Sequence, residues 1–149
     1  MDNAMEGAVT ILIAEDDDGH AELVRAHLQE AGVRNPYLRF RDGDELWNYL
    51  SASCANGNAY LILLDIRMPR MDGVEVLRRI KADARLSRIP VIMLTTTDDP
   101  REIEECYRLG CNCYITKPVG FSAFAETLNR LGLFLMIMRV SSLPQAGDA

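Results

Sequence analysis

Five short apolar runs, separated by segments with helical spacing, limit the folds that this chain can adopt. The runs are Val9 to Ala14, Tyr37 to Phe40, Tyr60 to Leu64, Val91 to Leu94 and Cys113 to Thr116. Several are apolar at successive positions, a pattern typical of parallel strands whose two faces are both covered. The pattern therefore indicates strands that alternate with covering helices.

The segments between the runs carry helix signals, and the fourth segment carries the clearest ones. Asp99 can cap a helix there, Pro100 fits its first position, and Glu102 completes a capping box. Gly110 closes that helix, and a last helix is expected from about Ser122 to about Val140. Strands that alternate with helices imply right-handed crossovers. The sequence thus predicts an α/β fold, a flavodoxin-like doubly wound five-stranded parallel sheet in the order 2-1-3-4-5 with five helices.

Length and composition favour one domain. With 149 residues and 48% hydrophobic content, the chain can fill one core and leaves almost nothing for a second. We expect the domain to span residues 8–140, with flexible termini at 1–7 and 141–149.

Charge and hydropathy argue against several classes of partner. A net charge of -6 disfavours nucleic acid and anionic membranes, since a protein that neutralises phosphates needs surplus Lys and Arg. No run approaches the roughly 20 apolar residues that cross a bilayer, and Met1 to Gly7 lacks the pattern of a signal peptide. The sequence therefore predicts a cytoplasmic protein, whose four cysteines lack paired metal spacing and are expected to be inert thiols.

Polar residues follow four of the apolar runs directly. Glu15 and Asp16 follow the first run, Asp65 the third, Thr95 the fourth and Lys117 the fifth. In a doubly wound sheet, ligands bind outside the carboxyl ends of the strands. The fold alone would therefore bring all five residues to one edge.

The three acids at this edge indicate a divalent metal ion. Glu15, Asp16 and Asp65 would crowd negative charge together, which is costly unless a cation sits among them or the carboxylates become partly protonated. Mg²⁺ fits best, because it takes oxygen ligands and commonly binds one or two carboxylates plus a phosphate. The alternative is that the acids after the first run only cap a helix, but capping would not require Asp65 opposite.

Asp65 is the candidate nucleophile at this edge, because a carboxylate can form an acyl phosphate that is then hydrolysed. Its alternative is a turn residue at a strand end. Lys117 would bind Asp65 at rest and phosphoryl oxygens afterwards, and a cis peptide before Pro118 would turn its ammonium inward. Thr95 offers a hydroxyl, although Thr is also common in strands for its branched side chain.

Four segments in this order carry a resemblance to a known family: Ile11 to Asp17, Leu63 to Pro69 with Asp72-Gly73, Pro90 to Thr95, and Tyr114 to Pro118. Together they resemble the receiver domain of two-component response regulators, over about residues 8 to 140. The resemblance implies a phosphoprotein that assists its own phosphorylation and dephosphorylation but is otherwise not an enzyme.

The resemblance implies a role for each acidic residue. Asp65 would be the phosphoacceptor, Asp16 a direct Mg²⁺ ligand and Glu15 a ligand acting through water. Arg67 would give the ion its backbone carbonyl. The chain departs from the commonest pattern of the family at two of these positions, since Glu15 replaces a more usual aspartate and Arg67 stands where a small polar residue is frequent. The second departure bears on the lifetime of the phosphorylated form, for which the sequence predicts nothing.

The resemblance also implies a conformational switch. Thr95 would be the hydroxyl that moves toward the phosphoryl group, Thr96 the small neighbour that leaves the site open, and Tyr114 the aromatic that changes rotamer with Thr95. Lys117 would be the lysine of the family. A new dianion would bias this two-state element through hydrogen bonds to Thr95 and Lys117.

Further features are similar to stand-alone regulators that serve phytochrome-type histidine kinases, among them Arg41-Asp42-Gly43 and Leu94 to Pro100. The expected partner is therefore a sensor histidine kinase of that type. With no DNA-binding domain expected after the receiver, output would come from protein contact or from relaying the phosphoryl group.

The last helix is apolar nearly all round, so more than one of its faces must be buried. One face would pack on the sheet, and Phe134, Met136, Ile137 and Met138 would form an exposed patch unless a partner covers it. We therefore expect a homodimer through this helix. The alternative is that the end folds back on its own domain.

Three other functions were weighed. A hydrolase of the haloacid-dehalogenase kind needs a second aspartate two positions after the nucleophile, where this chain has Arg67. A dehydrogenase would want a glycine-rich loop where Glu15 to His20 is acidic. A purely structural module would show neither Mg²⁺ dependence nor labelling. His20 and His27 are expected to be surface or rim residues.

Overall fold

A computed structural model describes residues 9–53 and 57–137 of the chain. The predicted flexible termini, Cys54 and Met138 lie outside the described residues. The elements, in chain order, are β1 (Val9–Ala14), α1 (Asp18–Glu30), β2 (Tyr37–Phe40), α2 (Gly43–Ser53), β3 (Ala59–Leu64), α3 (Gly73–Ala82), a short 3-10 turn (Leu86–Arg88), β4 (Val91–Thr95), α4 (Pro100–Leu109), β5 (Cys113–Thr116) and α5 (Phe121–Ile137).

The five strands form one parallel sheet in the order β2-β1-β3-β4-β5, so the predicted fold and strand order are confirmed. In the pairing of β1 with β3, Ala14 lies opposite Leu64. Beyond this pair, the Asp65 amide donates to the Ala14 carbonyl at 3.1 Å. The residues that follow these two strands therefore leave the sheet at the same level.

Each face of the sheet is covered by its own set of helices. On one face, Leu12, Ile62, Leu64 and Met93 pack with apolar residues of α2, α3 and α4. On the other face, the neighbouring positions Ile11, Ile13, Leu61, Leu63 and Ile92 pack with α1 and α5. All six residues of β3 are buried, and burying each of its Leu and Ile side chains stabilises the fold by about 1.5 to 3 kcal/mol. Burial on both faces explains why the runs are apolar at successive positions.

Both predicted ends of α4 are seen, and one of the acids after β1 caps a helix. Asp17 caps α1, where its Oδ1 accepts from the His20 amide at 2.9 Å. Asp99 caps α4, where its Oδ1 accepts from the Arg101 amide at 2.9 Å, with Pro100 in the first turn. Gly110 ends α4 with a φ of 107°, a left-handed conformation that glycine adopts without steric cost.

The predicted capping box at α4 is wrong. The Asp99 amide lies 3.5 Å from the Thr97 hydroxyl and is not bonded to Glu102. The Glu102 carboxylate instead accepts from the Thr97 hydroxyl at 2.6 Å and from the Arg67 guanidinium at 3.1 Å. Because Thr97 and Arg67 bind the Glu102 carboxylate, it does not accept the bond from the Asp99 amide that a capping box requires.

The described cysteines are reduced. Cys106 and Cys111 are buried, and Cys113 is half-buried. Burial raises the pKa of Cys106 to about 12 and that of Cys111 to about 11. Both groups are therefore thiols at neutral pH, the form that neither attacks electrophiles nor binds metals well.

Helix α5 begins one residue before the predicted start, and its predicted end near Val140 lies outside the described residues. Gly132 on α5 lets the helix approach α1 closely, since a Cβ there would lie 2.5 Å from the Cβ of Ala31. In the part of the chain that the structure describes, no helix has the length and apolar character needed to cross a membrane.

Candidate functional site

Three carboxylates meet at the carboxyl edge of the sheet. Glu15, Asp16 and Asp65 each offer an oxygen, and these atoms all lie within 4.8 Å of one another. Glu15 and Asp65 are buried, whereas Asp16 is exposed. The register of β1 and β3 brings them together, because Glu15 and Asp65 come directly after the paired residues Ala14 and Leu64.

The electrostatics of this cluster fit a divalent cation. Burial, with a smaller contribution from the charge of Asp65, raises the pKa of Glu15 to about 7, even though the hydrogen bond to Lys117 lowers it. A cation among the three oxygens would offset the cost of keeping buried carboxylates ionised. The donor set contains only oxygens and leaves one side open through Asp16, which suits Mg²⁺ with its retained waters.

The two carboxylate oxygens of Asp65 have different partners. Its Oδ1 accepts from the Ile66 amide at 2.7 Å, and its Oδ2 lies 3.4 Å from the Lys117 ammonium. The backbone behind it is fixed by Gly73, whose amide donates to the Ile66 carbonyl at 2.9 Å. A Cβ at Gly73 would lie 2.0 Å from the Asp65 carbonyl oxygen. The loop after β3 therefore packs tightly under the acid.

Lys117 faces the acids from β5. Its side chain is 2% exposed, and its ammonium contacts the carboxylates of Glu15 and Asp65 and the Nδ1 atom of His20. The Lys117 amide donates to the Thr95 carbonyl at 2.7 Å, which fixes the start of the loop after β5. The expected cis peptide at Pro118 is wrong, since none of the described residues has a cis bond. The ammonium therefore reaches the acids from a trans backbone.

Thr95 ends β4 with a fully buried side chain. Among the described residues its Oγ1 is buried without a hydrogen-bond partner. A buried hydroxyl that lacks a partner costs about 1 to 3 kcal/mol. The Thr95 hydroxyl can therefore form a hydrogen bond with a polar group that binds beside it. The next residue, Thr96, is exposed.

Tyr114 is bonded to the loop after β4, away from the acidic cluster. Its hydroxyl donates to the Thr97 carbonyl at 2.8 Å, and its amide donates to the Tyr107 hydroxyl at 3.0 Å. Burial raises the pKa of Tyr114 to about 12, so the hydroxyl keeps its proton and can donate. The contact ties β5 to the segment that directly follows Thr95 and Thr96.

The side chain of Arg67 does not point into the acidic cluster. It is exposed, and its Nη2 lies 3.1 Å from the carboxylate of Glu102 on α4. The group that Arg67 would offer to a metal ion is therefore its backbone carbonyl.

Two residues at the site were missed by the sequence reasoning. The His20 ring, expected at the surface or rim, is 3.1 Å from the Lys117 ammonium. Arg39 of β2 donates from Nε and Nη2 to the Glu15 carbonyl at 2.9 and 2.6 Å, and from Nη1 to Asp18 at 2.6 Å. A lone arginine within an apolar run was a usable signal for Arg39. For His20 the signal was helical spacing, because it lies four residues before the buried Val24 on the same face of α1.

The predicted dimer patch is described in part. Phe134 is 46% exposed and Leu133 64% exposed, while the side chains of Met136 and Ile137 and all of Met138 lie outside the described residues. An apolar groove of about 280 Å³ lies between β5 and α5 and is lined by Cys113, Ile115, Thr127, Arg130, Leu131 and Phe134.

Comparison with known proteins points to one family. The family model described as "Response regulator receiver domain" matches residues 11–129. The protein called Response regulator Rcp1, from Synechocystis sp., is 33% identical over 135 residues, which cover 89% of this chain and 86% of that protein.

Solved structures are similar over most of the chain. A response regulator receiver domain from Rhodospirillum rubrum has 44% identity and a TM-score of 0.87, with 91% of this chain and 99% of that chain covered. The phosphorylated cyanobacterial phytochrome response regulator RcpA has 34% identity and a TM-score of 0.80, with 88% and 96% covered. The Mn(2+)-bound form of Rcp1 has 30% identity and a TM-score of 0.78, with 85% and 94% covered.

Proposed function

This chain belongs to the response regulator receiver domain family, and from that premise we propose that residues 8–140 act as a single-domain regulator that accepts a phosphoryl group on Asp65. The observation that carries the proposal is the position of the Lys117 ammonium between two buried carboxylates, those of Glu15 and Asp65. An ammonium held beside a carboxylate can bind the oxygens of an incoming phosphoryl group.

In the proposed reaction, an Asp65 carboxylate oxygen forms a bond to the phosphorus of a phospho-histidine. The bond between phosphorus and the imidazole nitrogen breaks, and that nitrogen keeps the electron pair and then takes a proton. Hydrolysis of the acyl phosphate later returns the free carboxylate and inorganic phosphate. The protein thus assists its own phosphorylation and dephosphorylation and otherwise serves in signalling.

The reaction is proposed to depend on Mg²⁺. Glu15, Asp16 and Asp65, together with the backbone carbonyl of Arg67, would hold the ion, with Glu15 acting through water. When bound, Mg²⁺ supplies positive charge that offsets the charge of the transferring phosphoryl oxygens. The support in this chain is the all-oxygen cluster, in which one carboxylate oxygen from each of the three acids lies within 4.8 Å of the other two.

The conformational response is proposed to run through Thr95, Thr96 and Tyr114. The unpartnered hydroxyl of Thr95 would bond a phosphoryl oxygen, and the exposed Thr96 would leave room for that group. Any movement of the loop after Thr95 would shift the Thr97 carbonyl, which accepts a hydrogen bond from the Tyr114 hydroxyl. A new dianion would in this way alter the surface of β5 and α4.

The proposed phosphoryl donor is a sensor histidine kinase of the phytochrome type. The support is similarity to RcpA, a cyanobacterial phytochrome response regulator, over 88% of this chain. Output would then come from protein contact or from relay of the phosphoryl group. A cytoplasmic location stays a prediction, in keeping with the buried thiols of Cys106 and Cys111.

A homodimer through α5 is also proposed. Its support is the exposure of Leu133 and Phe134 beside the apolar groove between β5 and α5. Met136, Ile137 and Met138 continue this apolar sequence. A large exposed apolar patch commonly marks a site of association.

Labelling with acetyl phosphate tests the assignment of Asp65. We expect the wild-type protein to gain one phosphoryl group in the presence of Mg²⁺ and none after treatment with EDTA, as read by intact mass. Asp65→Asn should remain folded and unlabelled. Asp98→Asn, which changes an exposed acid in the next loop, is the matched control and should label normally. Labelling of the Asp65→Asn variant would rule the assignment out.

A further inference from the structure

The Lys117 ammonium is surrounded by three acceptors. An ammonium carries three N–H donors and no acceptor. Around Lys117 the partners are the carboxylates of Glu15 and Asp65 and the Nδ1 atom of His20, the last two at 3.4 and 3.1 Å. The Lys117 side chain is 2% exposed, so solvent hardly reaches it. Because an ammonium can only donate, His20 must accept through an unprotonated Nδ1.

The His20 ring is held in place from two sides. Its backbone amide donates to the capping carboxylate of Asp17 at 2.9 Å, which fixes the first turn of α1. Its ring meets Phe124 of α5 edge to face, with centroids 5.6 Å apart and planes at 79°. The His20 ring is therefore packed between α1 and α5, with Nδ1 on the side of Lys117.

The three acceptors differ in what happens to them during the proposed reaction. The carboxylates of Glu15 and Asp65 are the groups that a metal ion and a phosphoryl group would engage. Their hydrogen bonds to the ammonium would weaken during phosphoryl transfer, when the ammonium must bind the phosphoryl oxygens. His20 is not among the proposed ligands of the metal ion or the phosphoryl group. Its Nδ1 touches the ammonium from the side of α1 and lies farther, 3.9 Å, from the carboxylate of Glu15.

We propose that His20 is a positioning residue, whose Nδ1 keeps the Lys117 ammonium directed at Asp65 while the two carboxylates change partners. The proposal rests on the proposed phosphorylation of Asp65 and adds a residue to that site. It concerns positioning only, because His20 acts on the reacting atoms through Lys117.

Two substitutions separate the hydrogen bond from the packing of the ring. His20→Asn places Oδ1 two bonds from Cβ, as Nδ1 is in histidine, and so retains the acceptor without the ring. His20→Phe retains a ring against Phe124 and removes the acceptor. If the bond matters, the Asn variant should keep the wild-type limiting rate of labelling by acetyl phosphate, and the Phe variant should lose about tenfold, the order expected for a bond to a charged group.

The rate should be measured over a range of acetyl phosphate concentrations, so that limiting rate and donor affinity are separated. A positioning role predicts a change in the limiting rate of the Phe variant, with donor affinity and Mg²⁺ affinity unchanged and the protein still folded at the assay temperature. Two-bond ¹H–¹⁵N spectra of the wild type should show His20 with its proton on Nε2. A proton on Nδ1 would overturn the proposal, as would a Phe variant that labels like the wild type.

The outcomes distinguish this proposal from the function on which it rests. Wild-type protein that takes no phosphoryl group removes both. Wild-type labelling with a slow Asn variant and a normal Phe variant assigns His20 to packing and removes only the positioning role.

Discussion

Arg39 binds the backbone of Glu15 through two of its nitrogens, Nε and Nη2, which lie 2.9 and 2.6 Å from the same carbonyl oxygen. The contact joins the edge strand β2 to the residue that leaves β1 at the acidic cluster. The third nitrogen of Arg39, Nη1, forms an ion pair with the Asp18 carboxylate at 2.6 Å. One arginine therefore fixes both ends of the loop that carries Glu15 and Asp16.

We expect Arg39→Gln to lower the affinity for Mg²⁺ by about tenfold, as is usual when a residue that orients metal ligands is lost. Hydrogen bonds from a charged donor contribute about 1.5 to 3 kcal/mol, so the free energy of unfolding should fall by a similar amount. Calorimetric Mg²⁺ titration and urea unfolding measure the two effects.

The matched control for this change is Arg41→Gln. Arg41 pairs with the same Asp18 at 2.7 Å but is 64% exposed and does not touch Glu15. Because its ion pair is exposed and it does not hold the backbone of Glu15, this variant should keep nearly all of its metal affinity. Equal losses of affinity in the two variants would mean that Arg39 acts only through net charge.

Much of the architecture could be predicted because burial on both faces leaves a plain record in the sequence. All six residues of β3 are buried, so that run is apolar at every position. Asp65 and Lys117 could also be predicted to lie at one end of the sheet, because each directly follows a strand of a parallel sheet. Strand order and parallel pairing then bring their side chains to 3.4 Å.

Contacts between side chains of distant elements could not be predicted. His20 lies four residues before the buried Val24 and so on the inner side of α1, but the sequence does not show that the ammonium of Lys117 would meet it there. The Glu102 carboxylate does not form the predicted capping bond, because Arg67 and Thr97 bind it from other segments. Neither outcome follows from local spacing.

Gly73→Ala should disrupt the loop under Asp65. An added Cβ would lie 2.0 Å from the Asp65 carbonyl oxygen, and backbone cannot move aside as a flexible side chain can. We expect a loss of about 3 kcal/mol in unfolding free energy, at the upper end for overpacking. Urea unfolding measures it. Gly19→Ala is the control, since its Cβ would meet only the Asp17 side chain, at 3.2 Å. The higher helix propensity of Ala, about 1 kcal/mol, offsets that contact, so the unfolding free energy should change by less than about 1 kcal/mol.

Phe134→Glu should separate the proposed dimer. Phe134 is 46% exposed and lines the groove between β5 and α5, so a buried charge there would oppose association. Sedimentation velocity at micromolar concentration should show a dimer for the wild type and a monomer for the variant. Asn129→Glu adds the same charge at an exposed position of α5 outside the groove and should remain dimeric. A monomeric wild type would favour an end that folds back on its own domain.

Thr95→Val should stabilise the resting protein and remove its response. The Thr95 hydroxyl is buried without a partner, and a methyl group of the same shape removes a cost of about 1 to 3 kcal/mol. The unfolding free energy in urea should therefore stay equal or rise. Beryllium fluoride, which mimics an aspartyl phosphate, should still bind at Asp65, but the amide NMR shifts of Thr97 and Tyr114 should no longer change with it. Thr95→Ser keeps the hydroxyl and should keep the response. A Val variant less stable than the wild type would mean that the Thr95 hydroxyl has a partner at rest. If the amide NMR shifts of the Val variant change with beryllium fluoride as those of the wild type do, the hydroxyl is not the group that couples phosphorylation to the loop.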